Sequence, residues 1–290
     1  MHKAGFVNII GSPNVGKSTL TNALLGEKLA ITTAKAQTTR HRILGMLNTP
    51  DYQLILSDTP GIIDPAYKLQ ESMMEAVQSV FDDADVLIYM VEIGENKVKN
   101  PEVISRLAKT NKPLILVINK IDIGNQQLLE ETIEAWSAQL PNAKVWSISA
   151  LEKFQLEPLL EDLISFLPNH PPYFPKDQLT DRSERFMVSE VIREKILLRY
   201  DKEIPYSVEV NTESFINAEK IIKIRAVIYV ERNSQKGIMI GHKGEALKRV
   251  GKMARMDLEK FFEKKIHLEL FVKVSKDWRS SPNTLKRFGY

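Results

Sequence analysis

Short apolar runs alternate with helix-like stretches over residues 1–168. The helix-like stretches occupy residues 17–25, 73–81 and 127–140. The apolar runs are "FVNII", "LILSD", "VLIYMVE", "PLILVINK" and "KVWSISA". Strands that are apolar at nearly every position are typical of a parallel sheet, because helices bury both of its faces. The pattern therefore predicts an α/β domain in which a mostly parallel sheet carries helices on both faces.

The pattern changes after the proline-rich segment "LPNHPPYFPKDQLTD", which has few core-forming positions. Beyond it the sequence predicts a helix, the strands "SVEVNTESFI" and "IIKIRAVIYV", a "GHKG" turn between two helices, and a last strand "IHLELFVKVS". This order is typical of a smaller α+β module. We therefore predict a first domain over residues 1–168, a linker over 169–182 and a second domain over 183–290.

Composition narrows the class of protein. The chain has 290 residues, of which 43% are hydrophobic, and this is enough for two ordinary cores. It has no cysteine, so disulfides and thiolate zinc sites are excluded. The N-terminal "MHKAGFVNIIGS" has too short an apolar run for a signal peptide, and no run approaches a membrane span. We expect a cytoplasmic protein.

Charge is divided unevenly between the two halves. Residues 1–180 carry 16 Lys and Arg against 21 Asp and Glu, whereas residues 181–290 carry 24 against 16. A basic module of this kind indicates a polyanionic partner, with an ordinary solvated surface as the alternative.

The segment "GSPNVGKST" at residues 11–19 fits the pattern G-x-x-x-x-G-K-[ST]. It follows an apolar strand and precedes a helix, which is the context that a phosphate-binding loop requires. Backbone N–H groups of residues 14–18 are expected to face the phosphates, assisted by the positive end of the helix. Lys17 is expected to bridge the outer phosphates and Ser18 to hold Mg²⁺.

Three further motifs follow apolar strands. "DTPG" places Asp58 at a strand end, where it can support Mg²⁺ through water, and leaves the Gly61 N–H free to sense the terminal phosphate. "NKID" places Asp122 where its carboxylate can accept from N1–H and N2 of guanine, donors that adenine lacks. "SISA" can offer the Ala150 N–H to the guanine carbonyl, although by itself it is the weakest of the motifs.

In this order and spacing the four motifs resemble the TRAFAC class of GTPases. "QTTRHR" resembles switch I of the Era family, which implies Thr39, with Thr38 as the alternative, as the threonine that reaches Mg²⁺. "DRSERFMVSEVIREKI", "IGHKGEALKRVG", "HLELFVKV" and "DWR" resemble the type II KH domain of that family, so the resemblance covers essentially the whole chain. It implies hydrolysis of GTP to GDP and phosphate.

The motifs and the resemblance together predict the site residues. The catalytic residues are Lys17, Thr39, Asp58 and Gly61, and the Mg²⁺ ligands are Ser18 and Thr39. The nucleotide-binding residues lie in the four motifs or directly beside them, and they are Gly11, Ser12, Pro13, Asn14, Val15, Gly16, Lys17, Ser18, Thr19, Asp58, Thr59, Pro60, Gly61, Ile62, Asn119, Lys120, Asp122, Ser149 and Ala150.

Two positions modify the expected chemistry. Ile62 stands where signalling GTPases have the glutamine that orients the attacking water, so intrinsic hydrolysis is expected to be slow. Asn14 stands where similar GTPases use an asparagine to bind K⁺ beside the phosphates; the alternative is that Asn14 only shapes the turn.

The "GHKG" stretch lacks the span and the Lys-Ser ending of a triphosphate loop. A KH module uses a G-x-x-G turn to bring its backbone close to about four unpaired nucleotides, with apolar side chains beside it. The predicted RNA-binding residues are Ile240, Gly241, His242, Lys243, Gly244, Leu247, Lys248 and Arg249. Trp278, between Lys276 and Arg279 in the basic module, is a further candidate for RNA contact.

The resemblance implies that the partners are GTP and GDP, the 3′ end of 16S rRNA and the 30S ribosomal subunit during its assembly. We expect a monomer. One alternative is a membrane-associated regulatory GTPase whose basic module binds anionic lipid as a peripheral protein of the inner membrane. Another is a nucleotide-gated scaffold with negligible turnover, which Ile62 would permit.

Overall fold

The computed structural model describes residues 1–290, which form two compact units. The first comprises Met1–Thr32, Thr39–Pro65 and Gln70–Asp181. The second comprises Arg182–Tyr290 together with two short segments, Thr33–Thr38 and Ala66–Leu69, that come from the N-terminal half of the sequence.

A six-stranded sheet forms the centre of the first unit. The strands are β1 (Lys3–Gly11), β2 (Ile43–Asn48), β3 (Tyr52–Asp58), β4 (Val86–Glu92), β5 (Leu114–Asn119) and β6 (Lys144–Ser147). Their order in the sheet is β2-β3-β1-β4-β5-β6, and all neighbouring strands are parallel except β2 and β3, which form an antiparallel pair. The structure confirms the predicted fold class and adds β2, which the apolar pattern does not reveal.

Helices cover both faces of this sheet, as continuous apolar strands require. They are α1 (Lys17–Leu25), α2 (Lys68–Asp83), α3 (Pro101–Ala108), α4 (Gln126–Gln139) and α5 (Leu156–Phe166). Apolar residues of α1 and α5 pack on one face of the sheet, and those of α2, α3 and α4 pack on the other. Because the parallel strands end at one edge, the loops that follow β1, β3 and β5 lie together there.

The proline-rich segment before Arg182 is bonded to the sheet edge of the first unit. The backbone N–H of Met46 in β2 donates to Leu179 O at 2.9 Å, and Gly45 forms an isolated bridge with Thr180. The Gln53 side chain donates to Phe174 O at 2.8 Å. The segment therefore closes the exposed edge of β2 with backbone hydrogen bonds.

The second unit is an α+β module. Its elements are α6 (Glu184–Arg199), α7 (Ile204–Ser207), β7 (Glu209–Asn217), β8 (Ile221–Val230), α8 (Asn233–Ile240), α9 (Glu245–Phe262), β9 (Lys265–Val274) and α10 (Pro282–Phe288). The sheet has the order β7-β8-β9, in which β7 and β8 are antiparallel and β8 and β9 are parallel. Apolar residues of α6 and α9 bury one face of the sheet, called here the inner face.

The structure contains no helix whose length and hydropathy would allow it to span a lipid bilayer.

Candidate nucleotide and RNA sites

The phosphate loop runs from the end of β1 to the start of α1. Gly16, directly before α1, has φ 101°, and a Cβ there would lie 2.3 Å from the Asn119 side-chain nitrogen. Only glycine fits both the backbone conformation and the space. Asn14 also has positive φ, at 65°, which asparagine tolerates better than most residues. The loop thus turns sharply at Asn14 and Gly16, which both have positive φ.

Lys17 lies inside this loop, with only 6% of its surface exposed. Its ammonium group donates to Gly11 O at 3.0 Å and to Ser12 O at 2.8 Å. Burial lowers the pKa of Lys17 to about 8, against the opposing charges of Asp58 and Glu95. The loop carbonyls therefore hold the cation at the position where a polyphosphate would meet it.

Three oxygen-bearing side chains meet beside Lys17. Ser18 Oγ lies 2.9 Å from Thr39 Oγ1 and donates to Asp58 Oδ2 at 2.6 Å. Burial raises the pKa of Asp58 to about 6, while the hydrogen bond from Ser18 and the charge of Lys17 oppose the rise. The other carboxylate oxygen, Asp58 Oδ1, is buried without a hydrogen-bond partner. Hydroxyl and carboxylate oxygens in this arrangement fit Mg²⁺, which takes oxygen ligands and keeps several waters.

The two candidate switch threonines have different surroundings. The Thr38 hydroxyl donates to Lys35 O at 2.6 Å and lies 2.6 Å from Thr33 Oγ1. The Thr39 hydroxyl instead lies beside Ser18 and donates to Asp58 at 3.5 Å. This geometry favours Thr39 over Thr38 as the residue that faces the metal position.

The "DTPG" loop packs directly on the phosphate loop. A Cβ on Gly61 would lie 2.7 Å from the Pro13 Cα, so the close approach of the two loops requires glycine. The Ile62 N–H donates to Gly11 O at 3.1 Å, and the Thr59 hydroxyl donates to Ile9 O at 2.6 Å. The Ile62 side chain is buried among apolar residues of the sheet and its helices, so it cannot orient a water molecule.

Asn119 connects the loops at the other end of the site. Its side chain donates to Val15 O at 2.8 Å and accepts from the Ala150 N–H at 2.9 Å. The Ala150 N–H that we expect to bind the guanine carbonyl is thus engaged by Asn119 here, and its role toward guanine stays a prediction. Asp122 is exposed in a single 3₁₀ turn after Lys120, so its carboxylate is accessible to a base.

Two further features of this region are not apparent from the motifs. The carboxylate of Glu95 is 6% exposed, accepts from the Ser12 hydroxyl at 2.8 Å and pairs with Lys99 at 2.7 Å. A cavity of about 320 Å³ is lined in part by Thr19 and Ala150. An acidic residue shortly after the strand "VLIYMVE" is the one sequence signal that could have indicated Glu95.

The "GHKG" turn of the second unit joins α8 to α9, as predicted. Gly241, Lys243 and Gly244 all have positive φ, at 72°, 47° and 81°. A Cβ on Gly241 would lie 2.6 Å from the Ala246 Cβ, whereas a Cβ on Gly244 would meet nothing within 4 Å. The backbone at Gly244 therefore faces open space that a ligand can enter.

The neighbours of this turn divide into apolar and basic positions. Ile240 and Leu247 are half-buried and pack against the core of the unit. The basic side chains are exposed, and they are His242, Lys243, Lys248 and Arg249. This places apolar side chains beside positive charge.

The prediction that Trp278 contacts RNA is wrong. Its side chain is 0% exposed, and its indole N–H donates to Ser207 O at 2.9 Å. The ring packs against Phe288 of α10, and a buried aromatic ring of this kind belongs to the core.

Comparison with known proteins gives matches in both units of the chain. Residues 6–120 match the family model described as "50S ribosome-binding GTPase", and residues 203–279 match the KH domain model. GTPase Era of Geotalea uraniireducens is 47% identical over 99% of this chain and 98% of the relative. The chain belongs to the GTPase Era family.

Other Era proteins are similar along their whole length. GTPase Era of Staphylococcus epidermidis is 44% identical and covers all of this chain and 97% of the relative. A crystal structure of Era in complex with MgGDPNP and nucleotides 1506–1542 of 16S ribosomal RNA has a TM-score of 0.95 at 39% identity, over 100% of this chain and 99% of that one. A variant of Aquifex aeolicus Era bound to GDP and AlF4⁻ has a TM-score of 0.95 at 38% identity, with 99% of each chain covered.

As an Era-family GTPase, the chain hydrolyses GTP with Mg²⁺ as cofactor. Ser18, Thr39 and Asp58 bring their side-chain oxygens together here, and Ser18 and Thr39 are the residues that would hold the ion. When bound, the ion supplies positive charge to the phosphate oxygens. Lys17 would add a second positive charge from within the loop, and the Gly61 N–H stays the predicted contact of the terminal phosphate. The position after Gly61 cannot supply a side chain that orients the water, because Ile62 is apolar and part of the core.

Proposed function

We propose that this Era-family GTPase binds the 3′ end of 16S rRNA through its KH module and acts in assembly of the 30S ribosomal subunit. The observation that carries the proposal is the "GHKG" turn, whose backbone is open at Gly244 and flanked by apolar and basic residues. A relative that is 39% identical was crystallised with nucleotides 1506–1542 of 16S ribosomal RNA, which supports the same target here.

The turn suits a sugar-phosphate backbone for a physical reason. Two glycines let the main chain approach the RNA closely, and Lys243 adds a charge to that approach. Bases would lie along Ile240 and Leu247, whose side chains are half-buried and apolar. The groove can thus hold about four unpaired nucleotides, with the main chain supplying the fit and the basic residues supplying the attraction.

Nucleotide state is proposed to reach the KH module through residues 33–38. Arg193 of α6 is almost fully buried, is ion-paired with Glu190 and donates to Thr38 O. Lys35 pairs with Asp201 at 2.8 Å and donates to Tyr200 O. Thr38 is covalently next to Thr39, which faces the metal position, so a change in the phosphates displaces a segment that α6 holds.

The nucleotide ligands are proposed to be GTP and GDP, as the four motifs predict, and the Asp122 carboxylate is proposed to recognise guanine. We also propose that Asn14 helps to bind K⁺ beside the phosphates and that this cation replaces the missing glutamine in part. The support is that Asn14 turns the loop at positive φ while Ile62 is buried. Replacing KCl by NaCl at equal ionic strength should slow hydrolysis severalfold, and Asn14→Ala should remove the difference. Equal rates in the two salts would leave Asn14 with a structural role only.

The protein is proposed to act as a monomer in the cytoplasm. Its basic module could also contact the anionic surface of the inner membrane, so acidic vesicles belong in the RNA experiment as a competitor. If vesicles bind more tightly than RNA and displace it, the proposal is replaced by the membrane alternative.

The decisive experiment measures binding to a short RNA that matches the 3′ end of 16S rRNA and to its scrambled version at fixed salt. The wild type should prefer the matching RNA. Changing His242 and Lys243 both to Asp should abolish the preference, because two negative charges then oppose the nucleotide backbone, while GTP hydrolysis is retained. Changing the exposed Lys202 and Lys220 both to Asp is the control, since it alters net charge at least as much away from the turn.

Two outcomes would contradict the proposal. One is indifference of the wild type to scrambling. The other is unchanged RNA binding in the double Asp variant. A GTPase assay with and without the matching RNA then tests whether the two sites are coupled, because coupling requires the RNA to change the rate.

A further inference from the structure

The sheet of the second unit has an outer face that α6 and α9 leave uncovered. The inner-facing residues of β8, such as Ile222 and Ile224, are buried in the core, whereas Lys223 and Arg225 between them are exposed. In β9 the alternation is the same, and Phe271 is 46% exposed. The outer face is thus built from alternate positions of two parallel strands.

The strand register places these side chains in one continuous surface. Lys223 lies between Ile216 of β7 and His267 of β9, and Arg225 lies beside Glu269. Together they line a groove of about 590 Å³. At the other end of the face, Val227 is fully buried and the Phe288 ring of α10 lies 5.0 Å from the Tyr229 ring, so the open groove is limited to the part of the sheet before Val227.

Charge on this face is mostly positive. The exposed basic side chains of β8 and β9 are Lys223, Arg225, Lys265 and Lys273, and the acidic ones on the same face are Glu213 and Glu269. Arg225 pairs with Glu269 at 3.2 Å, and Lys273 pairs with Glu213 at 3.1 Å. Lys223 and Lys265 have no carboxylate partner. The outer face therefore has positive charge that is available to an anion outside the protein.

An exposed aromatic ring lies among these cations. The Arg225 guanidinium is 5.6 Å from the centre of the Phe271 ring. An aromatic side chain on an open sheet, flanked by Arg and Lys, is the arrangement on which unpaired bases stack while their phosphates meet the cations. Protein interfaces, in contrast, are depleted in Lys at their centres. The chemistry of the groove therefore favours RNA over a protein partner.

We propose that this outer sheet face, centred on Phe271, Lys223 and Arg225, binds a second stretch of single-stranded RNA beyond the nucleotides held at the "GHKG" turn. The proposal rests on the proposed RNA-binding function. A G-x-x-G groove holds about four nucleotides, so a longer RNA has to continue elsewhere. Strand β9 is an edge strand with α8 and α9 packed next to it, and it is the strand that an RNA leaving the turn would cross to reach the outer face.

Glu269, the carboxylate that pairs with Arg225, allows a substitution that should strengthen RNA binding instead of weakening it. Hydrogen bonds from Arg225 and His267 hold the pKa of Glu269 below its ordinary value, so the carboxylate is charged and competes with phosphate for Arg225. Glu269→Gln should therefore strengthen binding of the longer RNA, while neutralising the cations weakens it.

The experiment uses the full chain and two RNAs: nucleotides 1506–1542 of 16S rRNA, and a short oligonucleotide that matches only its 3′ terminus. Phe271→Leu, which keeps the apolar side chain and removes the ring, should weaken binding of the longer RNA about tenfold. It should leave binding of the short RNA unaffected. Phe271→Tyr, which keeps an aromatic ring, should bind the longer RNA as the wild type does. Phe166→Leu, the same change at an exposed ring of the first unit, is the matched control.

Salt dependence supplies a second measurement. Changing Lys223 and Arg225 both to Gln should lower the slope of log affinity against log salt by about 1.4 for the longer RNA, since each phosphate contact to a single strand contributes roughly 0.7. Changing the exposed Lys97 and Lys109 of the first unit both to Gln should leave the slope unchanged. Circular dichroism of each variant verifies that the sheet is intact.

The proposal is overturned if the face variants bind the longer RNA as the controls do, or if they lose the short RNA equally. It is also overturned if Phe271→Leu changes only self-association in sedimentation, since the face would then bind a second copy of the chain. Failure of the 16S rRNA proposal gives a different result, because the wild type would then bind the matching and scrambled RNAs equally well. In that case the comparison of outer-face variants with their controls on the longer RNA still tests whether the outer face binds RNA.

Discussion

Asn119 should contribute more to stability than any exposed residue of its loop, because two buried hydrogen bonds converge on it. Its amide holds the carbonyl of Val15 in the phosphate loop and the N–H of Ala150 in the loop after β6. The side chain is only 3% exposed. Asn119→Ala therefore removes a link between three loops and leaves both backbone partners without a hydrogen bond.

The magnitude follows from these contacts. Leaving a buried polar group unsatisfied costs about 1–3 kcal/mol, so two such groups lower the free energy of unfolding by about 4 kcal/mol. Asn125 is the matched control, since its exposed side chain accepts one hydrogen bond, from the Leu128 N–H at 2.9 Å, at the start of α4. Loss of such a helix cap costs about 1 kcal/mol.

Urea unfolding of the nucleotide-free chain measures the difference. Trp136 and Trp146 both lie in the first unit and report its transition by fluorescence. Asn119→Ala should also reduce GDP affinity more than tenfold, because the phosphate loop loses its anchor. A destabilisation no larger than that of Asn125→Ala, with GDP affinity unchanged, would refute the reasoning.

Three further predictions concern the two sites. Lys17→Ala should abolish GTP turnover while RNA binding by the full chain without nucleotide is unchanged; normal turnover would remove the phosphate-loop assignment. Asp122→Asn should weaken GTP binding and shift preference toward xanthosine triphosphate, because an amide can donate to the carbonyl of xanthine, and nucleotide titrations with both triphosphates measure the ratio. Gly244→Ala should cost about 1–2 kcal/mol of backbone strain and weaken RNA binding, whereas Gly241→Ala should also disrupt the turn through its clash with Ala246, which thermal melts and RNA titrations can distinguish.

Much of the nucleotide unit could be predicted because its strands are apolar at nearly every position and end in short polar motifs. Strand β2 could not, since "ILGMLN" is short and contains a glycine. That glycine, Gly45, is explained only by tertiary structure: a Cβ there would lie 2.3 Å from a methyl group of Leu25. The pairing of β2 with residues 179 and 180 is equally invisible in the sequence, because it uses backbone groups that every residue has.

The side-chain environment of single residues was harder to predict than the motifs. Trp278 lies between two basic residues in the sequence, but the chain folds so that its indole reaches Ser207 O in the core. Glu95 has no motif around it, yet its buried carboxylate accepts from Ser12 in the phosphate loop. In both cases the deciding contact joins residues that are far apart in the sequence, which local patterns do not encode.

The peptide bond between Thr38 and Thr39 gives the protein a short mechanical linkage. Arg193 holds the carbonyl on one side of that bond, and the hydroxyl of Thr39 on the other side faces Ser18 and Asp58. Consecutive Cα atoms stay 3.8 Å apart, so a displacement of the Thr39 backbone would also displace the Thr38 carbonyl that Arg193 holds. On the proposed function, this coupling depends on chain length. One glycine inserted between Thr38 and Thr39 would keep both residues and their contacts, but GTP binding would then no longer affect RNA binding.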